Sequence, residues 1–331
     1  MRVLITGVAG FAGQHLVRDL AAQGGFEMHG VDHAPLSAPE TSGSPGTGGI
    51  DPGPALASFQ PLDVTDAAAF ASWIRAREPD AVIHLAAQAS GAASLTEPAQ
   101  TYRINALGAL HLLEAVRSIG SKAVVLIVGS ADIYGSGTPG GKIREDAPIR
   151  PRNPYALSKA AQDALAEVYA GTYGLRAIRT RTFSHTGPGQ SPRFALASFA
   201  EQLARIDVGE GGGTLHVGNL DTVREYGDVR DVVRAYRMLV GLGVPGEAYN
   251  VATGTGYGMR TLLDRLIAIS GVRAEVQTDP KRVRAQDGDH LVGDPSKLEA
   301  ATGWKSQRSI DETLEALYRD ARDRVRRETG R

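Results

Sequence analysis

The 331-residue chain contains no cysteine, so it has no disulfide, no cysteine-ligated zinc and no thiol nucleophile. It also lacks an excess of charge of one sign, because 36 basic and 37 acidic side chains give a formal net charge of -1. No segment approaches the ~18 consecutive apolar residues of a membrane span, and the amino-terminal apolar stretch is broken by Gly7 and Gly10, unlike a signal peptide. We therefore expect a soluble, cytoplasmic protein that acts on small molecules, with neither nucleic acid nor membrane as a partner.

Two catalytic classes are disfavoured by other absences. The eight histidines show no paired metal-ligand spacing of the His-Glu-x-x-His kind, so we expect no metal site. No Gly-x-Ser-x-Gly sequence, typical of a hydrolase nucleophile, occurs in the chain. Glycine, in contrast, is abundant at 40 of 331 residues, whereas it makes up about 7% of an average chain. The placement of these glycines therefore needs an explanation.

Short apolar runs alternate with longer segments of helical periodicity in the first half of the chain. Strands are predicted at Val3–Thr6, Met28–Val31, Ala81–Leu85, Val124–Val128 and Ala177–Thr182. Helices are predicted at His15–Gln23, Ala67–Arg77, Ala99–Ile119 and Tyr155–Tyr173. Strands that alternate with helices pair in parallel and are covered on both faces. The pattern therefore predicts an α/β fold with a doubly wound parallel sheet.

From about residue 184 this alternation is lost, and a second, smaller lobe is predicted. Its elements are a strand at Leu215–Val217 and helices at Asp228–Val240, at Arg260–Ile269 and from Ile310 onward. A further strand at Tyr249–Ala252 is expected to return to the first sheet. We assign residues 1–183, with a returning segment near 247–253, to one domain and the remaining segments of 184–331 to a second. Residues 34–57 lack periodicity and are predicted to form a surface loop.

Three glycines follow the first predicted strand and open the first predicted helix. Gly7, Gly10 and Gly13 have the spacing Gly-x-x-Gly-x-x-Gly, which allows a sharp turn, close approach of the backbone to a pyrophosphate, and helix N–H groups aimed at it. An ordinary turn between strand and helix is the alternative. Asp32 ends the second strand, 19 residues beyond Gly13, where a carboxylate binds the adenosine ribose and repels a 2′-phosphate. NAD(H) is therefore favoured, with NADP(H) possible.

Further positions at strand ends fit a dinucleotide site, although each is a weak signal alone. Asp63 and the neighbouring Val64 follow an apolar stretch, where the carboxylate can reach an adenine amino group. A helix cap is the alternative role for Asp63. Leu85, Ala86 and Ala87 supply small side chains where backbone must lie against the cofactor, and ordinary packing is the alternative for them.

The most specific motif is Tyr155 followed four residues later by Lys159, after Asn153 and Pro154, which favour a helix start. This spacing places both side chains on one helix face. For tyrosine to act as a general base its pKa must fall by about 3, and an ammonium about 4 Å away supplies an interaction of that size. Ser130 lies just beyond a buried strand, where its hydroxyl can bond the same substrate oxygen. A surface tyrosine–lysine pair and a turn serine are the alternatives.

Together these residues resemble the extended short-chain dehydrogenase/reductase family, which modifies nucleotide sugars. The resemblance covers nearly the whole chain and implies a Rossmann-type doubly wound sheet with a smaller C-terminal α/β lobe that binds the sugar nucleotide. It implies Ser130, Tyr155 and Lys159 as the catalytic residues. It also implies a homodimer formed through the helices near 99–119 and 155–173. The residues expected at the cofactor are Gly7, Gly10, Phe11, Ala12, Gly13, Asp32, Asp63, Val64, Leu85, Ala86, Ala87, Tyr155 and Lys159.

Two later stretches, 179–190 and 217–231, are similar to the group of GDP-4-keto-6-deoxy-D-mannose reductases. This resemblance implies a GDP-sugar as substrate. Arginines suit a diphosphate because the guanidinium makes paired hydrogen bonds to phosphate oxygens. Position 184 is serine where the family usually has asparagine, which leaves a smaller polar group to meet the sugar or its phosphate. The residues expected at the substrate are Asp132, Ser184, Gln190, Arg224, Arg284 and Asp287.

Three reactions of this family compete as expectations. A 4,6-dehydratase needs an additional acid and base beside the catalytic serine, and here those positions hold Ala131 and Asp132. Alanine cannot donate a proton, so dehydration is disfavoured although Asp132 keeps a carboxylate. A 4-epimerase needs no such pair and retains NAD, which fits Asp32. We expect reduction of the 4-keto group of a nucleotide-linked 6-deoxy sugar, with 4-epimerisation as the alternative and 4,6-dehydration as the less favoured one.

Overall fold

A computed structural model describes residues 1–34, 36, 55–137, 140–210, 212–282 and 290–330. Most of the loop predicted at 34–57 lies outside the described residues, and so do Arg284 and Asp287. No helix in the described part of the chain is long and apolar enough to cross a membrane.

Fourteen strands and eleven α-helices are formed by the described residues. The strands are β1 (Arg2–Thr6), β2 (Glu27–Asp32), β3 (Ser58–Pro61), β4 (Ala81–His84), β5 (Val124–Ser130), β6 (Ala177–Thr182), β7 (His185–Thr186), β8 (Thr214–Val217), β9 (Val223–Glu225), β10 (Gly227–Asp228), β11 (Ala248–Val251), β12 (Gly256–Gly258), β13 (Glu275–Thr278) and β14 (His290–Leu291). The helices are α1 (Phe11–Gln23), α2 (Ala67–Arg75), α3 (Gly91–Thr96), α4 (Pro98–Tyr102), α5 (Gly108–Ser118), α6 (Pro154–Tyr173), α7 (Ala195–Asp207), α8 (Val229–Leu242), α9 (Met259–Ser270), α10 (Ser296–Thr302) and α11 (Ile310–Thr329).

Seven parallel strands form the central sheet in the order β11-β6-β5-β4-β1-β2-β3. On one face α1 and α8 bury apolar residues such as Leu16, Leu20 and Leu239 against the strands, and on the other α2, α5 and α6 bury residues such as Trp73 and Leu112. The strand order changes direction between β1 and β4, which creates a crevice at the carboxyl ends of the strands. The predicted Rossmann-type doubly wound sheet is therefore confirmed.

A second apolar cluster is formed by α7, α9 and α11 with β8 and β13, and it includes Leu203, Leu263 and Leu317. This cluster is the core of the smaller α/β lobe that the fold prediction expected. The sequence reading placed no helix at 195–207, yet α7 is one of the main contributors to this core.

The helix predicted at Ala99–Ile119 is divided in the structure. A π-helical turn at Arg103–Leu107 separates α4 from α5. Asn105 in this turn is fully buried, accepts a hydrogen bond from the Gln88 backbone N–H at 2.8 Å and donates to the Ser158 hydroxyl at 2.9 Å. The widened turn thus places a polar side chain against α6, a contact that apolar periodicity does not reveal.

Helix α6 is attached to the sheet by a buried ion network. The Asp163 carboxylate, on α6, accepts hydrogen bonds from Arg179 at 3.0 Å and from Arg181 at 3.1 and 3.0 Å, both on β6. The Asp163 side chain is only 2% exposed. Asp163 lies four residues after Lys159, so the same face of α6 that docks on the sheet carries the lysine.

We expect Asp163→Ala to lower the free energy of unfolding by about 3–5 kcal/mol, because it leaves the buried Arg181 without a carboxylate and Arg179 with the exposed Glu167 alone. Urea denaturation followed by circular dichroism measures the loss. Glu167→Gln is the matched control, since Glu167 pairs with the same Arg179 at 2.9 Å but is 63% exposed. This control should cost less than about 1 kcal/mol. Equal losses in the two variants would contradict the structural role given to Asp163.

Candidate active site

A cleft of about 840 Å³ opens at the carboxyl ends of the central strands. Its walls come from the glycine-rich turn after β1, residues in and beside α3, the ends of β5 and β6, the start of α6, and later residues up to Leu291. A cleft of this volume accommodates a dinucleotide together with part of a second ligand.

In the glycine-rich turn the backbone packs so closely against neighbouring backbone that a side chain at Gly7 or Gly13 would clash. Gly7 has φ 71°, and a Cβ on it would lie 2.7 Å from the backbone nitrogen of Ala86. A Cβ on Gly13 would lie 2.3 Å from the Gly7 carbonyl oxygen. Helix α1 begins at Phe11 with Gly10 as its N-cap and without a side-chain cap. Its first N–H groups are therefore available to a pyrophosphate, which fits a dinucleotide.

Several predicted cofactor residues line the cleft, namely Gly7, Gly10, Phe11, Ala12, Gly13, Leu85, Ala87, Tyr155 and Lys159. Asp32, Asp63, Val64 and Ala86 are not among the residues that line it. The Asp32 carboxylate is buried and accepts the Ala9 backbone N–H at 3.0 Å, so it braces the glycine-rich turn. Asp63 is exposed and accepts the Thr65 backbone N–H at 2.8 Å.

Val64 and Ala86 take part in packing and in backbone hydrogen bonding. Val64 is buried in the core and meets α5 at Gly108, where an added Cβ would lie 2.8 Å from its Cγ2. The Ala86 backbone N–H donates to the Thr6 hydroxyl at 3.2 Å. These contacts give both residues a structural role, and a role of either residue at the cofactor stays a prediction.

Ser130, Tyr155 and Lys159 meet in the cleft. Ser130 ends β5, and Tyr155 and Lys159 lie one turn apart at the start of α6, whose first turn is capped by Asn153 through a 2.8 Å bond from the Ala156 N–H. The Ser130 side chain interacts with the Tyr155 hydroxyl, and its own hydroxyl accepts the Asp132 backbone N–H at 3.2 Å. The Lys159 ammonium donates to the Val128 carbonyl oxygen at 2.9 Å and to the Gln162 amide oxygen at 2.8 Å.

The electrostatics of this group differ from the expectation for Tyr155. Burial raises the pKa of Tyr155 above its usual value, and the Asp132 carboxylate raises it further, while the Ser130 hydrogen bond lowers it. The depression expected from the Lys159 charge is therefore not present in the ligand-free protein. Burial lowers the pKa of Lys159 to about 7. Tyr155 thus holds its proton at neutral pH, as a proton donor requires.

Four of the predicted substrate residues also line the cleft, namely Asp132, Ser184, Gln190 and Arg224. The Arg224 guanidinium lies 3.9 Å from the Asp132 carboxylate. The Gln190 amide is used within its own loop, because it accepts from the Thr186 hydroxyl at 2.6 Å and donates to the His185 carbonyl at 2.9 Å. Its side chain therefore shapes the loop beside the cleft.

Sequence reasoning did not identify three cationic residues that line the cleft, Arg193, Lys281 and Arg282. Arg193 precedes α7, whereas Lys281 and Arg282 belong to a 3-10 turn after β13. Arg282 donates to the Ser198 hydroxyl of α7 at 3.1 Å. Arg193 lies almost 90 residues before the turn that carries Lys281 and Arg282, so no spacing pattern joins the two segments. With Arg224 they give this end of the cleft a positive charge suited to a diphosphate.

Two further buried side chains, His84 and Tyr236, lie near the catalytic residues. His84, at the end of β4, is fully buried with Nδ1 2.8 Å from the Thr6 hydroxyl, and burial with the Lys159 charge lowers its pKa to about 3. Tyr236 of α8 lines the cleft and is hydrogen-bonded to the Thr182 hydroxyl at 2.9 Å. In the described part of the chain, no group of three or more His, Asp or Glu residues could hold a metal ion.

The fold and the Ser130–Tyr155–Lys159 group define an enzyme of the extended short-chain dehydrogenase/reductase class, as the sequence resemblance predicted. Within that class, the chain belongs to the GDP-mannose 4,6-dehydratase family, whose model matches residues 4–317.

Individual relatives cover almost the full length of the chain. It is 36% identical to the GDP-6-deoxy-D-mannose reductase of Pseudomonas aeruginosa over 99% of both chains. The structure is similar to that of RMD from Pseudomonas aeruginosa complexed with NADPH, with a TM-score of 0.83 and 33% identity over 98% of this chain and 99% of the other. It is also similar to the UDP-glucose 4-epimerase of Thermus thermophilus in complex with NAD, with a TM-score of 0.84 and 31% identity over 97% and 99%.

We expect Gly13→Ala to distort the glycine-rich turn, because the added Cβ would overlap the Gly7 carbonyl oxygen. The free energy of unfolding should fall by about 1–3 kcal/mol, and NADH binding measured by calorimetry should weaken. Gly241→Ala is the control, since an added Cβ there meets nothing within 4 Å and lies within α8. This change should raise stability by about 0.5–1 kcal/mol. If Gly13→Ala leaves stability and NADH binding unchanged, the backbone of Gly13 does not lie as close to the Gly7 carbonyl oxygen as described.

Proposed function

We propose that the protein reduces the 4-keto group of a GDP-linked 6-deoxy sugar of the mannose series, with hydride from a nicotinamide cofactor. The observation that carries this proposal is the 36% identity to a GDP-6-deoxy-D-mannose reductase over 99% of both chains. The meeting of Ser130, Tyr155 and Lys159 in one cleft supports it, since these groups serve proton transfer beside a carbonyl.

In this proposal the glycine-rich turn and the start of α1 would hold the pyrophosphate of the cofactor, and Asp32 would bind its adenosine ribose. When bound, the cofactor supplies the hydride that reduces the carbonyl carbon. NAD(H) is favoured, because the buried Asp32 carboxylate repels a 2′-phosphate. NADP(H) remains the second candidate, since a similar structure binds NADPH. Roles at the cofactor for Asp63, Val64 and Ala86 stay predictions.

Tyr155 is the proton donor of the proposed reaction. Burial keeps its hydroxyl protonated at neutral pH, and this proton passes to the carbonyl oxygen as that oxygen gains negative charge. Ser130 donates a hydrogen bond that orients the oxygen. The Lys159 ammonium stabilises the phenolate that Tyr155 becomes, and binds the ribose beside the nicotinamide. Each group therefore acts at one oxygen or at its immediate surroundings.

The substrate lies in the remainder of the cleft. We assign Arg224, with the newly identified Arg193 and Arg282, to the diphosphate, and Asp132, Ser184 and Gln190 to the sugar; this assignment is supported by their position in the lining of the cleft. Arg284 and Asp287 stay predictions at the nucleoside. We also retain as proposals the cytoplasmic location and the division into a cofactor domain (1–183 with 247–253) and a substrate domain (the rest of 184–331).

Two other reactions of the class are tested against reduction. Dehydration is disfavoured, because Ala131 follows Ser130 and supplies no acid, and Asp132 alone remains beside the serine. Epimerisation is favoured by one observation, the TM-score of 0.84 to an NAD-bound 4-epimerase. An epimerase returns the hydride within one catalytic cycle and so consumes no external cofactor.

The decisive assay supplies GDP-4-keto-6-deoxymannose with NADH or NADPH to the purified protein and follows nicotinamide absorbance at neutral pH. Loss of absorbance, faster with NADH, is the expected result. Incubation of GDP-mannose or UDP-glucose with NAD, followed by sugar analysis, separates the other reactions. If the protein does not turn over the keto sugar but converts UDP-glucose, the proposal of a reductase is wrong and the protein is an epimerase.

We expect Tyr155→Phe to lower kcat by about 10²–10⁴-fold, because the variant lacks the donated proton. NADH binding, measured by fluorescence, should change little, since the glycine-rich turn is intact. Tyr102→Phe is a matched control that removes the same hydroxyl from an exposed position of α4. An undiminished kcat in Tyr155→Phe would remove this tyrosine from the mechanism.

We further propose that the protein is a homodimer formed through α4–α6. Five large apolar side chains are exposed on these helices and the π-helical turn between α4 and α5, namely Tyr102, Leu107, Leu157, Val168 and Tyr173. Their exposure leaves an apolar surface that a second copy can cover. The inner faces of α5 and α6 are already packed on the sheet.

We expect Val168→Lys to weaken the dimer, because it places a charge in the apolar surface where the side chain is 53% exposed in one chain. Light scattering after size-exclusion chromatography should give a dimer mass for the wild type and a shift toward the monomer for the variant. Leu242→Lys, which changes a side chain that is 57% exposed at the end of α8, should leave the mass unchanged. A monomeric wild type would exclude the dimer.

A further inference from the structure

Lys159 is held by two neutral oxygen atoms, and one of them belongs to a side chain that the mechanism above does not use. Its ammonium donates to the Val128 carbonyl at 2.9 Å and to the Gln162 amide oxygen at 2.8 Å. An ammonium has three N–H donors, so two are occupied within the protein and one is left for a group in the cleft.

Gln162 is fully buried on α6, three residues after Lys159. Its amide nitrogen has no hydrogen-bond partner among the described residues. A buried unsatisfied donor destabilises a fold, so Gln162 is a costly residue for mere packing at this position. The contact with Lys159 also determines which way the amide is turned, because only the oxygen can accept from an ammonium.

The other titratable groups around Lys159 do not provide a counter-charge. Tyr155 on the same helix is protonated at neutral pH, and His84 on β4 is buried and neutral. The neighbouring carboxylate of Asp163 is engaged by Arg179 and Arg181 on β6. The ion pairs formed by the described residues do not include Lys159. The charge of the ammonium is therefore stabilised by the dipoles of the Val128 carbonyl and the Gln162 amide.

We propose that Gln162 is a positioning residue for Lys159, which holds the ammonium through a neutral acceptor and leaves its charge and its third N–H for the reacting groups. This inference rests on the proposed function for its catalytic meaning. A carboxylate at the same position would neutralise the ammonium, and an apolar side chain would leave it with a single acceptor. The amide avoids both outcomes.

Two substitutions that keep the approximate size of the Gln162 side chain distinguish a residue that positions Lys159 from one that only fills space. Gln162→Glu places a carboxylate on the ammonium and should raise the pKa of Lys159 by about one pH unit or more. Gln162→Met deletes the acceptor and should lower that pKa by about one pH unit. A residue that acts only by filling space gives no reason for shifts of opposite sign.

The measurement is made on the ligand-free protein by NMR with lysine labelled with ¹³C at Cε. The chain has only six lysines, and the Lys159 signal is assigned by its absence in Lys159→Arg. The wild-type signal should titrate near its pKa of about 7. Thermal unfolding shows that each variant is folded, and Gln23→Met, at the exposed end of α1, is the control that should leave the titration unchanged.

The pH dependence of kcat with the keto sugar and NADH is the second readout. Activity that needs the charged lysine falls as the pH rises through its pKa, so this fall should move to higher pH in Gln162→Glu and to lower pH in Gln162→Met. Titrations that do not move, or that move in the same direction in both variants, would overturn the positioning role. If the wild type does not reduce the keto sugar but the Lys159 pKa shifts in opposite directions in the two variants, the positioning role is supported and the proposed reductase activity is overturned.

Discussion

The attachment of α6 to β6 is the contact on which the candidate site depends. The Asp163 carboxylate binds Arg179 and Arg181 in a place that water does not reach. One turn earlier, the same face of the helix carries Lys159, and one turn before that Tyr155. Because a buried carboxylate between two guanidinium groups has few alternative arrangements, the helix has a defined register on the sheet. The positions of both catalytic side chains follow from that register.

The second constraint is the burial of the titratable groups at and beside the catalytic site. Burial disfavours the charged form of every group, so it raises the pKa of Tyr155 and lowers the pKa values of Lys159 and His84. A protonated tyrosine beside a lysine of pKa about 7 suits the donation of a proton to a carbonyl oxygen. The two protein partners of the lysine in these surroundings are neutral oxygen atoms, and one of them belongs to Gln162.

The central sheet could be predicted from the alternation of strands and helices, because the spacing of apolar residues differs between a strand and a helix and depends on local backbone geometry. The capped start of α6 and the glycine-rich turn were predicted for the same reason. Both are local features, since the start of α6 is determined by Asn153 and Pro154 and the start of α1 by Gly10. Helix α7 was missed, although its Leu196, Leu203 and other apolar residues have helical spacing and become buried in the second lobe. The division of the predicted helix at 99–119 was missed, because it follows from the contact of Asn105 with α6.

The sequence by itself determined the fold class, the family and the identities of the groups at the glycine-rich turn and on α6, since these depend on local spacing. Only the tertiary structure decided which cations share the cleft, because Arg193 and the Lys281–Arg282 turn come from segments far apart in the chain. Tertiary structure also decided the sign of the pKa shift of Tyr155. Spacing places Lys159 one turn away, but burial and the Asp132 charge raise the pKa, and burial is a property of the whole fold.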